Sequence, residues 1–149
     1  LPIALWVAWS DMARMKIPNK AVLAMAALWP VLGWIVMPMN LWLWGFAIMA
    51  IVLVAGFVGN AAGLFGAGDA KFAAAMAGLF TGGDPIFIAT LYAVCSIGAF
   101  AVHRGLRAIP ALRNMTPDWA SWTHNKFPMG LALASMVTLY LLAAFLPQG

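Results

Sequence analysis

Residues 41–65, LWLWGFAIMAIVLVAGFVGNAAGLF, contain no charged side chain and no proline. A helix of this length rises ~37 Å, more than the ~30 Å hydrocarbon core of a bilayer. The run lacks the period-2 alternation of a barrel strand, so it is predicted to be a membrane helix. The six residues that follow, Gly66-Ala67-Gly68-Asp69-Ala70-Lys71, bring a carboxylate directly after a glycine-rich turn.

The rest of the chain has the same character. Hydrophobic residues make up 65%, charged residues 8%, and the mean hydropathy is +0.95, values that indicate an integral membrane protein. At ~20 residues per span, 149 residues hold about six helices and no soluble domain, so residues 1–149 are expected to form one membrane domain. The expected runs are Leu1–Ser10, Ala21–Met37, Leu41–Phe65, Asp69–Thr81, Pro85–Val102 and Pro128–Leu146. Ten helical residues rise only ~15 Å, so either the first run is truncated at its start or Asp11 lies well below the membrane surface. The first run carries no basic flank and no small-residue cleavage site, so it is not read as a signal peptide.

Charge placement fixes the expected topology. Six crossings put Arg14, Lys16, Lys20, Lys71, Arg104, Arg107, Arg113 and Lys126, every basic residue of the chain, on one side. The opposite loops, 38–40 and 82–84, and the tail 147–149 hold none. The positive-inside rule makes the basic side cytoplasmic and requires the short fourth run to cross. The net charge of +4 is then explained by topology and by attraction to anionic membrane lipid. There is no dense basic run, so no nucleic-acid partner is expected. Trp119 and Trp122, in the loop from His103 to Phe127, suit a segment lying on the headgroups.

The chain has four acidic residues, all Asp. Asp11 and Asp69 share the cytoplasmic side, each at the end of an apolar run, whereas Asp84 falls opposite and Asp118 in the long loop. Intramembrane carboxylates are rare and usually functional. Each also has a plain structural reading: Asp69 as a helix cap, Asp11 as a partner of Arg14 one turn on. If the first and fourth helices pack together, two close carboxyls share one proton, and one activates water while the other donates to a carbonyl. Gly66 and Gly68 permit positive φ and close backbone approach. Lys71 reads as a snorkelling lysine and Asn60 as an interhelical hydrogen-bond donor. His103 and His124 read as interface residues with no metal-site spacing, and Cys95 as a small buried hydrophobe. No metal or cofactor is expected.

Three segments together resemble the type IV prepilin peptidases, membrane aspartic proteases of the GxGD type. They are Asp11 through Ile17-Pro18-Asn19; Gly66-Ala67-Gly68-Asp69-Ala70-Lys71; and Phe127-Pro128-Met129-Gly130-Leu131-Ala132. The resemblance implies an all-α polytopic fold of about six transmembrane helices in the bacterial inner membrane. It also implies removal of the basic leader from prepilin-like precursors at the cytoplasmic face. Asp11 and Asp69 would be the catalytic pair, with Pro18, Asn19, Gly66, Gly68, Lys71, Pro128 and Gly130 shaping the site or contacting substrate. The chain looks like the short form found in tight-adherence and Flp-type pilus systems, which lacks the cysteine-bearing domain and N-methyl transfer. Pro110-Ala111-Leu112 matches a tripeptide of presenilin-like relatives, but it lies in the basic loop and is read as coincidence. The competing reading from another class is a small proton- or cation-coupled transporter or channel subunit using the same carboxylates. It leaves Ile17-Pro18-Asn19 and the glycine turn unexplained.

Overall fold

The computed structural model describes residues 1–124 and 126–143, and every regular element among them is helical. The protein is a polytopic all-α membrane protein. Helices α1 (Pro2–Arg14), α2 (Asn19–Val36) and α3 (Met39–Ala61) come first. A shorter α4 (Ala67–Ala77) follows and runs into a 3-10 turn at Gly78–Phe80. Then come α5 (Pro85–Ala108), α6 (Pro110–Met115), a 3-10 turn at Ala120–Trp122, and α7 (Met129–Ala143). Among the described residues three helices, α2, α3 and α5, are long and apolar enough to cross a bilayer. The expected end of the last helix at Leu146 and the tail Pro147–Gly149 lie outside the described residues.

The chain divides into two compact units, residues 17–88 and residues 1–16 with 89–149. In the 17–88 unit the usual inside-outside rule for side-chain size is inverted. Along α3, Leu43, Trp44, Ile51, Val54 and Phe57 are exposed, while its buried residues are Gly45, Gly56 and Gly59. Lipid solvates large apolar side chains as well as a protein interior does, so helices associate through the small residues that let backbones approach. Helix α4 is built for this, burying Ala70, Phe72, Ala74, Ala75, Met76 and Ala77 against α2 and α3.

One large side chain fills the middle of this unit. Trp29 is fully buried, and a Cβ at Gly45 or Gly78 would overlap its indole. Helix α2 widens to a π turn at Trp29–Gly33, where Pro30 lacks the N–H that a regular turn would use. The indole nitrogens then cross-link α2 and α3. Trp29 Nε1 donates to Trp42 O at 3.1 Å, and Trp42 Nε1 donates to Pro30 O at 3.3 Å.

In the other unit, α1 turns a stripe of Ala4, Val7, Ser10 and Asp11 inward, the i, i+3, i+6, i+7 spacing of one helical face. That stripe packs on α7, which buries Gly130, Leu133, Ala134 and Val137, and on the turn at Ala120–Trp122. Two expectations need correcting here. His103 was placed at the interface as the start of a loop, yet α5 continues to Ala108 and His103 is 3% exposed. Its ring stacks on Trp122 at 5.8 Å and meets Phe127 edge-on at 5.9 Å. Trp122 was expected among the headgroups but is buried, its Nε1 donating to Thr116 O at 2.9 Å. The Trp122 donor satisfied inside the unit and the stacking of the two flat rings outweigh their preference for the membrane surface.

Candidate active site

Asp11 does not follow the first helix as expected; it lies inside it, since α1 runs on to Arg14. The carboxylate is 5% exposed and faces the start of α7. Its Oδ2 accepts a hydrogen bond from the main-chain N–H of Gly130 at 2.6 Å. Gly130 is the second residue of α7, where backbone N–H groups have no partner within their own helix. A carboxylate at that position gains both the hydrogen bond and the favourable end of the helix dipole. Glycine is required by space alone, because a Cβ there would stand 2.8 Å from Asp11 Oδ2 and 2.9 Å from its Cβ. Pro128, immediately ahead, is fully buried and its carbonyl accepts from Leu131 N at 3.2 Å. The Arg14 guanidinium, the partner expected for Asp11 on structural grounds, lies over the Trp9 ring at 5.2 Å.

The segment after Asp11 is held by contacts that the sequence did not announce. Ser10 is buried, and its Oγ donates to Lys16 O at 2.9 Å. Met15 takes a left-handed conformation with φ 52, and its N–H bonds to Asp11 O at 2.8 Å. A non-glycine residue in that region is uncommon and strained, so the surrounding bonds hold it there. In the 17–88 unit, Pro18 caps α2 with its carbonyl accepting from Ala21 and Val22, and Asn19 is the first, exposed residue of that helix.

Asp69 also differs from expectation. Helix α4 begins at Ala67, so Asp69 is its third residue and Gly66 is the N-cap. The Gly66 N–H donates to Asp69 Oδ2 at 3.1 Å. Gly66 has no side chain, so only the carboxylate half of a capping box forms. Neither Gly66 nor Gly68 has positive φ; that conformation belongs to Gly63, at φ 74. What Gly66 supplies is room, since a Cβ would sit 2.8 Å from Asp69 Oδ2. At Gly68 a Cβ would meet Ile17 Cβ at an ordinary 3.4 Å. Lys71 is exposed on α4.

A model of the type IV leader peptidase family matches residues 1–102. The chain belongs to that family. The matched stretch of the leader peptidase family contains Asp11, Pro18, Asn19, Gly66, Gly68, Asp69 and Lys71 and ends before Pro128 and Gly130. The chain matches no curated protein and no solved structure. In this leader peptidase the Gly130 contact ties the unmatched C-terminal part to Asp11 by geometry. Among the described residues no three His, Cys, Asp or Glu side chains converge as metal ligands.

Proposed function

We propose that the protein is an aspartic endopeptidase that removes the basic leader from prepilin-type precursors at the cytoplasmic face of the bacterial inner membrane, with Asp11 and Asp69 as the catalytic pair. Membership of the leader peptidase family supports the reaction and the kind of substrate. The observation that carries the assignment of a residue is the buried Asp11 carboxylate, held on the Gly130 amide in a chain with only four acids. A carboxylate placed in an apolar wall with a dedicated donor is costly to bury and marks a functional group. Six crossings, with the basic residues on the cytoplasmic side, complete the reading.

In the proposed reaction one Asp is ionised and the other protonated. The ionised carboxylate takes a proton from water as its oxygen attacks the scissile carbonyl carbon. The protonated carboxyl gives its proton to the carbonyl oxygen, producing a neutral gem-diol. Collapse breaks the C–N bond as the departing amine nitrogen takes the proton that the first carboxylate removed from water and a gem-diol hydroxyl returns a proton to the second, leaving a leader carboxyl end and a free pilin N-terminus. Pro18, Asn19, Gly68, Lys71 and Pro128 shape the approach of the substrate in this reading, and membrane lipid completes the surroundings.

The test is cleavage of a synthetic precursor by purified protein in liposomes. Asp11→Asn and Asp69→Asn should each abolish leader removal while leaving insertion intact. Full cleavage by either variant sinks the pair, and proton or cation flux without any cleavage supports a transporter instead.

A further inference from the structure

The geometry points to Asn60 as a positioning residue for Asp69, an inference that rests on the peptidase reading above. Sequence alone suggested that Asn60 bonds to another helix. Its Nδ2 instead donates to the main-chain carbonyl of Phe65 at 2.9 Å, one residue before the Gly66–Asp69 turn.

Two further contacts lie along the same face of α3. The end of α3 is closed by a reciprocal pair of main-chain bonds, Gly63 N to Asn60 O at 2.9 Å and Leu64 N to Gly59 O at 3.0 Å, with Gly63 left-handed between them. That turn sends Phe65 back over Gly59, where a Cβ would overlap the Phe65 ring. One turn earlier in α3, Gly56 receives Ala70, and a Cβ there would stand 2.8 Å from Ala70 Cβ.

Phe65 and Ala70 are therefore both seated on α3, and the segment between them contains Gly66, Gly68 and Asp69. The glycine seats fix where the segment lies. They leave it free to twist about its main chain, because a ring on a glycine and a methyl on a glycine impose no direction. The Asn60 amide supplies the direction by fixing the Phe65 carbonyl, and so the peptide plane that carries the Gly66 N–H. That N–H is the donor to Asp69 Oδ2. Asn60 thus orients the Asp69 carboxylate through two successive hydrogen bonds and one shared peptide group, without touching substrate.

The experiment compares Asn60→Leu and Asn60→Asp with the wild type in liposomes. Leu keeps the volume and removes the donor. Asp replaces the donor with a carboxylate that repels the Phe65 carbonyl until it is protonated. Asn60→Leu should lower kcat roughly 10- to 100-fold with KM little changed, the range expected when a reacting group is displaced by an ångström or less. Asn60→Asp should be as poor at pH 8 and recover toward wild type only as the pH falls to about 4, where an ordinary Asp carboxyl takes up its proton, each rate taken relative to wild type at the same pH. A space-filling role would not produce that recovery. Amide hydrogen exchange across residues 65–70 gives a readout independent of turnover, and should rise roughly tenfold in Asn60→Leu, as loss of one half-buried hydrogen bond implies. Unchanged exchange in that segment overturns the inference whether or not the protein cleaves precursors. Wild-type turnover in Asn60→Leu, or a flat pH ratio in Asn60→Asp, overturns it too, whereas wild-type protein that cleaves nothing overturns only the peptidase reading.

Discussion

The Gly130 main-chain N–H points at Asp11 Oδ2 from 2.6 Å, joining residues 119 positions apart in the sequence. It gives the glycine of Pro128-Met129-Gly130 a physical reason. Any side chain at this position would occupy the space of the carboxylate itself. Gly130→Ala must therefore push Asp11 aside or lift the start of α7. Overpacking of this sort costs about 1–3 kcal/mol. Displacing the carboxylate by ~1 Å lowers turnover on the order of 100-fold. Leader cleavage in liposomes and the unfolding midpoint in detergent measure the two effects separately, and a variant with wild-type turnover would exclude a role for this contact.

The two aspartates should separate folding from chemistry in the same way. Asp11→Asn keeps an oxygen that can accept from Gly130 N–H, and Asp69→Asn keeps one for Gly66 N–H. Both variants should insert and unfold much as wild type does while losing cleavage. Asp11→Ala instead strands a buried N–H, at about 1–3 kcal/mol. Its thermal midpoint should fall below that of Asp11→Asn, whereas equal midpoints would mean that the Gly130 bond contributes nothing to stability.

How much of this was legible in the sequence depends on which solvent each residue meets. The apolar runs were readable because a bilayer demands ~20 apolar residues per helix and leaves little room for anything else. Helix α3 follows the predicted run closely, as Met39–Ala61 against residues 41–65. Polar residues near helix ends were misjudged. Asp11 and His103 looked like the first residues of loops, yet each lies within its helix and is buried by partners distant in sequence, Gly130 and Trp122. No local pattern reports such partners. The glycines were recognised as important for the wrong reason, since Gly66 and Gly130 make space for carboxylates at negative φ or inside a helix, while Gly63 makes the left-handed turn. Asn60 was legible as a hydrogen-bond donor, but its acceptor depended on a turn visible only in three dimensions.

Gly66 and Gly68 should respond differently to alanine. At Gly66 the new Cβ would stand 2.8 Å from Asp69 Oδ2, so the cap breaks and the carboxylate swings away. At Gly68 the Cβ makes an ordinary contact with Ile17, and alanine inside a helix is favoured over glycine by about 1 kcal/mol. Gly68→Ala should therefore unfold at or above the wild-type midpoint, and Gly66→Ala should not gain. If Gly68→Ala is stable but its KM rises, the glycine serves substrate approach; if it destabilises, the packing of Ile17 against α4 has been misassigned.

Trp29 is fully buried in the 17–88 unit, and its dependence on glycine can be measured as a coupling. The indole occupies the space that side chains at Gly45 and Gly78 would need, and its Nε1 bonds to Trp42 O. Trp29→Ala removes that volume and should destabilise by about 3–5 kcal/mol, less whatever lipid or neighbouring helices reclaim by collapse. Gly45→Ala in the wild-type background forces the indole to move and should cost about 1–3 kcal/mol. Placed in a Trp29→Ala background, the same methyl enters a void, so the penalty should vanish or reverse. Contacting residues give interaction energies of about 0.5–3 kcal/mol in such cycles, whereas independent sites add. Additive midpoints in the double variant would show that Gly45 and Trp29 do not share this space. A coupled result would place the close approach of α2 and α3 on one indole, which also lies against Gly78 at the C-terminal end of α4.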